Sequence, residues 1–179
     1  MSAKNILLTG PPGIGKTTAI RRIAELLSGR RLAGFYTEEV RVAGERRGFR
    51  IVTLDGREGV LADVCLRSRW RVGKYGVDID GFEGLVCPLL EAAPSMAEIV
   101  LVDEIGKMEC FSRRFCQAIE HLADAPILLV ATIAARGGGL IAAMKSRPDA
   151  RLFELTRANR DRVPGLIQEM LRAWFAATQ

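Results

Sequence analysis

The sequence predicts an α/β fold in which a largely parallel sheet lies between layers of helix. Three observations predict it. Short apolar runs, Ile6–Leu8, Ile99–Val102, Pro126–Ala131 and Leu152–Leu155, recur along the chain, as strands covered on both faces require. Stretches with apolar residues at helical spacing separate them. The first run leads straight into Gly10-Pro11-Pro12-Gly13-Ile14-Gly15-Lys16-Thr17, a full match to G-x-x-x-x-G-K-[ST], the phosphate-binding loop that joins a strand to a helix.

The elements follow in order. Thr18 continues the loop, and Ile20, Ile23, Ala24 and Leu27 then fall at i, i+3, i+4 and i+7, the stripe of a core-facing helix that Gly29 closes. From Gly34 to about Ala62 the pattern turns to β. GFYTEEVRV and GFRIVTLD are strand-like, AGERR between them is a turn, and REGVLADV adds a strand past Asp55-Gly56. An antiparallel insertion or edge near residues 34–62 is the expected result. LRSRWRVGKYGVDIDG is polar and glycine-punctuated and receives no assignment. Phe82–Ala93 reads as a helix that Pro88 must interrupt or delay. After the Ile99–Val102 strand, Phe111, Phe115, Ile119 and Leu122 have helical spacing, with Ser112 near the start. Two further strands (126–131 and 152–155) and an amphipathic helix, Pro164–Phe175, complete the chain.

At 179 residues the length fits one domain, 1–179, able to bury a core unaided. A hydrophobic fraction of 49% with 26% charged residues describes an ordinary globule. No apolar run approaches the ~20 residues that cross a bilayer, and MSAKNILLTG holds too short an apolar stretch for a secretion signal. A cytoplasmic monomer without membrane contact is the expectation. Cys65, Cys87, Cys110 and Cys116 form no CxxC pair, so neither a zinc site nor a disulfide framework is expected; His121 sits in a helical pattern as a surface or structural residue. Lys and Arg outnumber acids 26 to 21. Such a balance fits a protein that handles polyanions; a triphosphate accounts for part of it, and nucleic acid remains a possible partner without a motif to indicate it.

The chemistry starts at the loop. Its glycines let the backbone curl so that successive N–H groups face phosphate oxygens, and the helix opening at Lys16 adds its positive end. Lys16 would reach the β- and γ-phosphates, and the Thr17 hydroxyl would ligate Mg²⁺. Asp103, ending the Ile99–Val102 strand at the ligand edge of a parallel sheet, fits the Walker B carboxylate that holds the Mg²⁺ water shell. Glu104 beside it would orient or deprotonate an attacking water, or else serve as an acid at a helix start.

GPPGIGKTT, GFYTEEVR followed by GERRGFRIVTLDG, VGKYGVD, DEIGKME and the late NRD together resemble the THEP-type nucleoside-triphosphatases, over nearly the whole chain and in the same order. The resemblance implies a RecA-like P-loop domain that hydrolyses ATP, GTP, CTP, UTP and TTP with Mg²⁺ and modest base selectivity. Residues 136–140, with RGGG, depart from the family pattern, and no role is carried over to them. Asn159 and Arg160 follow the last strand, where the resemblance suggests base contacts; a helix cap is the other reading for that position.

Lys107 stands four residues past Asp103, after the pliable Gly106. It would fold back to the γ-phosphate as an internal counterpart of an arginine finger, or pair with Glu109 as a surface ion pair. Thr132, at the end of a buried strand, would hydrogen-bond the water or the γ-phosphate. A small-molecule or nucleoside kinase uses the same Lys16, Thr17 and Asp103 and is the main alternative; a nucleic-acid-dependent ATPase is another. Glutamate next to the Walker B aspartate favours water as the nucleophile, and no aromatic-and-basic alternation of the kind used by single-strand platforms is evident.

Overall fold

Strand β1 (Asn5–Thr9) is buried along its whole length and sits inside the sheet of the computed structural model, which describes residues 3–178; the first two residues of the MSAKNILLTG segment lie outside it. Helix α1 (Lys16–Leu26) follows the glycine loop. Then come β2 (Leu32–Val42), β3 (Glu45–Thr53), β4 (Glu58–Asp63), the short β5 (Arg71–Val72) and β6 (Tyr75–Val77), and α2 (Ile79–Met96). The second half carries β7 (Ile99–Ile105), a 3₁₀ turn (Glu109–Phe111), α3 (Arg113–Asp124), β8 (Leu128–Ile133), α4 (Leu140–Ser146), β9 (Ala150–Glu154) and α5 (Val163–Thr178).

Among the described residues the strands form one nine-stranded sheet in the order β5-β6-β4-β3-β2-β7-β8-β1-β9. Strands β2, β7, β8, β1 and β9 run parallel, while β3, β4, β6 and β5 add an antiparallel wing. Successive side chains of a strand point to opposite faces, and the core divides accordingly. Leu7, Val100, Val102, Leu129 and Ala131 face α2, α3 and α4; Ile6, Leu8, Ile99, Leu101, Leu128 and Val130 face α1 and α5. Phe35, Phe82 and Phe115 meet edge-on in the first layer, with ring centroids 5.3–6.3 Å apart. The result is an α/β fold with a mostly parallel sheet between helices and an antiparallel insertion, consistent with a RecA-like P-loop architecture.

Several expectations need adjustment. The antiparallel region reaches beyond residue 62 to Val77, because the unassigned glycine-rich segment folds as the β5–β6 hairpin. The turn in AGERR is only Ala43-Gly44, at φ 50° and 82°; Glu45–Arg47 already belong to β3. Helix α2 runs through both Pro88 and Pro94 without stopping. Pro88 and Gly84, whose carbonyl loses its N–H partner, are both exposed, so the unmade bond falls on the solvent side of the helix. Helix α4 departs from the expectation, since seven residues after RGGG carry too little periodicity to read; the last strand, expected to be covered on both faces, is instead the edge strand β9, with Arg151, Leu152 and Glu154 exposed.

Candidate active site

The parallel strands place their C-terminal ends side by side, and the loop residues gather there. Gly10, Gly13 and Gly15 all have positive φ, at 154°, 76° and 109°, which lets the loop curl. Gly10 also has no room for a side chain, since a Cβ would stand 2.9 Å from the carbonyl oxygen of Leu155. Ile14 anchors the loop in the core while Pro11, Pro12 and Gly13 stay exposed. Lys16, at the start of α1, donates from Nζ to the Gly10 carbonyl at 3.3 Å and lies 3.6 Å from the Glu104 carboxylate.

Asp103 is the centre of the arrangement. It is 1% exposed, and both oxygens are engaged. The Thr17 hydroxyl donates to Oδ2 at 2.6 Å, and the Thr132 hydroxyl to Oδ1 at 2.6 Å. The Thr37 backbone N–H adds a bond to Oδ2 at 3.3 Å, and its hydroxyl another at 3.4 Å. Four donors and no ion-pair partner among the described residues surround a buried carboxylate. Such a group is stabilised by hydrogen bonds and still attracts a cation.

Glu104 follows Asp103 across a cis peptide. Burial pushes its carboxyl above the ordinary range, while the Lys16 ammonium opposes that shift. Glu109, 5% exposed, is pushed by burial up to about 8. Glu109 therefore does not pair with Lys107. The acid is turned inward from the 3₁₀ turn, and Lys107 stands exposed with no ion-pair partner among the described residues. The ion-pair reading of Lys107 fails for that physical reason: the carboxyl it needs is inside the protein.

A cleft of about 470 Å³ adjoins the loop, lined by Ile14, Gly15, Thr18, Arg22, Arg160 and Asp161 among others. The Arg160 guanidinium donates to the Ile14 carbonyl at 3.3 Å, tying the segment after β9 to the phosphate loop. Asn159 points elsewhere. Its Oδ1 accepts from the Thr156 N–H at 2.8 Å and its Nδ2 donates to the Glu154 carbonyl at 2.9 Å, so the side chain caps its own turn. The structure thus gathers the 10–18 loop, Asp103, Glu104 and Thr132 at one sheet edge, with Arg160 at the flank and Lys107 at the rim.

Two contributors were not singled out from the sequence. Thr37 lies in GFYTEEVR, but nothing local says that β2 runs beside β7 and so delivers it to Asp103. Lys145, on α4, holds the carbonyls of Ala134 and Ala135 at 2.6 and 2.8 Å and bears electrostatically on Glu104. Its signal was hidden with the unexpected helix.

A family model described as NTPase matches residues 5–168. Nucleoside-triphosphatase THEP1 of Thermotoga maritima is 43% identical over 166 residues, covering 93% of this chain and 92% of the relative. The human cancer-related nucleoside-triphosphatase is 41% identical over 174 residues, covering 89% and 92%. The crystal structure of THEP1 from the hyperthermophile Aquifex aeolicus superposes with a TM-score of 0.84 at 40% identity, over 91% of this chain and 96% of that one. The solution structure of the human protein gives 0.83 at 39% identity, over 96% and 98%.

Proposed function

The chain belongs to the THEP1-type nucleoside-triphosphatase family and is an NTP-hydrolysing enzyme, and from that premise we propose that it is a single-domain, Mg²⁺-dependent hydrolase acting broadly on ATP, GTP, CTP, UTP and TTP to give the diphosphate and phosphate. One observation carries the reading. The buried Asp103 receives the Thr17 hydroxyl at 2.6 Å, next to Lys16 and Glu104 held 3.6 Å apart.

The hard oxygens of Thr17 and Asp103 fit Mg²⁺, which keeps several waters and shares its coordination with substrate phosphates. When bound, Mg²⁺ would neutralise charge on the β- and γ-phosphate oxygens. The chain's own residues do the remainder. Backbone N–H groups of the 10–18 loop cradle the phosphates, and Lys16 exchanges Glu104 for them. Glu104, made more basic by burial and by that loss, takes a proton from the attacking water. Thr132 holds Asp103 in line from the opposite side. Lys107 closes on the γ-phosphate as charge develops there.

Base selectivity is shallow in this reading, because Thr18, Arg22 and Arg160 offer an open, mixed cleft rather than a closed pocket. Phosphate release measured for the five triphosphates, with and without Mg²⁺, tests it. Rates for ATP, GTP and CTP should lie within ~10-fold, about 1.4 kcal/mol, and vanish under chelation. Discrimination of several thousandfold would reveal a base site of another kind; transfer of phosphate to an added nucleoside rather than water would establish a kinase.

A further inference from the structure

Glu109 is a buried acid that the reaction described above does not use. It sits in the 3₁₀ turn, 5% exposed, faced by the negative Asp103 and Glu104 and by the backbone N–H groups of Gly106 and its own residue. Burying a carboxyl without a cation is unfavourable, so the placement asks for a reason.

Gly106 supplies the geometry. A Cβ built there would lie 2.8 Å from Oε2 of Glu109 and 2.9 Å from Oε1 of Glu104. The two carboxyl groups therefore crowd the same space beside Gly106, and a side chain there would have to displace both. The φ of Gly106 is not positive, so it is this crowding, not backbone conformation, that calls for glycine. Glu104 accordingly stands between two neighbours, the Lys16 ammonium 3.6 Å away and the carboxyl of Glu109. The first must leave when nucleotide arrives, since one ammonium serves either the carboxylate or the phosphates.

We propose that Glu109 is a positioning residue for Glu104: its buried carboxyl, packed beside Gly106 in the same space, limits the directions open to the Glu104 carboxylate after Lys16 has turned to the phosphates. The proposal rests on the reading of Glu104 as the group that acts on water. Accepting N–H bonds from Gly106 and from its own residue, Glu109 is held beside Glu104, and burial keeps it from bringing a second negative charge into the site. What the position requires is a polar, uncharged group of glutamate's length. A glutamine has that shape and an oxygen to accept the same N–H bonds; a methionine fills the volume and accepts neither.

Three variants test this, each assayed for kcat, KM and affinity for a non-hydrolysable ATP analogue. Glu109→Gln should stay within ~3-fold of the parent kcat. Glu109→Met should lose on the order of 10-fold or more in kcat with analogue affinity unchanged, as expected when only transition-state geometry suffers. Gly106→Ala should show the same split, because its Cβ displaces both carboxyls; it supplies the answer if the methionine variant does not fold. Parent-like kcat in Glu109→Met or in Gly106→Ala would overturn the proposal. So would a glutamine variant as slow as the methionine one, or analogue affinity that falls in step with kcat. Glu104→Gln, run beside them, examines the underlying reading separately: if it alone keeps full activity, the role of Glu104 itself is wrong.

Discussion

Asp103 shows how much a single side chain can organise. Its oxygens join the start of α1 through Thr17, β8 through Thr132 and β2 through Thr37, so the carboxylate fixes three segments at once. Asp103→Asn replaces one acceptor by a donor, and at least one hydroxyl must reverse. A raised Mg²⁺ requirement is expected, read as a right-shifted magnesium titration; a normal titration would remove Asp103 from the metal's neighbourhood. Lys107 gives a cleaner case, because it has no ion pair among the described residues to lose. Lys107→Ala should lower kcat on the order of 10²-fold while analogue binding stays put, with a melting temperature within about 1 °C of the parent. Equal kcat under saturating Mg²⁺–ATP would end its catalytic role. The phosphate loop and Asp103 were legible because their chemistry follows local spacing. The inward turn of Glu109 was not. Its orientation is decided by the packing of the 3₁₀ turn, where Phe111 rests against Trp70 from a distant segment.

Among the elements, β2 is the one that joins the two halves of the sheet, parallel to β7 along Leu32–Phe35 and antiparallel to β3 from Phe35 onward. Gly34 makes the junction possible. Its φ is 134°, and an added Cβ would stand 1.8 Å from the Leu101 carbonyl oxygen. Backbone cannot yield as a flexible side chain can, so Gly34→Ala should destabilise by roughly 3 kcal/mol or more, visible as a lower urea midpoint; a parent-like midpoint would mean that β2 and β7 can separate freely. The buried strands β1, β7 and β8 were readable from apolar runs alone. The β5–β6 hairpin was not, since two- and three-residue strands carry no period and are held by pairing with β4. Helix α2 outlasted its prolines because its buried face, Phe82, Val86, Cys87, Leu90 and Ala93, outweighs the two backbone bonds that Pro88 and Pro94 leave unmade.

Over the whole molecule, pH acts through opposed groups. Glu109 rises from an ordinary 4.5 to about 8 on folding, so the folded chain keeps a proton that the unfolded chain releases. Its contribution to stability is complete below about pH 4.5 and is lost as pH climbs toward 8, with a slope of at most ~1.4 kcal/mol per unit. Glu104 shifts in the same direction. Asp55, Glu91 and Asp149, held low by hydrogen bonds from Arg57, Arg114 and Arg147, act in the opposite sense and only at acid pH. Melting curves at pH 5 and pH 8 should therefore differ for the parent, and the gap should narrow for Glu109→Gln; an unchanged gap would place the titration elsewhere. The contact between the antiparallel wing and the turn after β7 also has an optical consequence. Trp70 lies 5.2 Å from Phe111, four residues past Lys107, and the chain has only one other tryptophan, Trp174 on α5. A Trp174→Phe protein thus carries a single tryptophan, resting on the stem of the Lys107 loop. Its emission should shift when Mg²⁺–nucleotide is added and return at the rate of product release, so that a stopped-flow trace records loop closure without any attached dye.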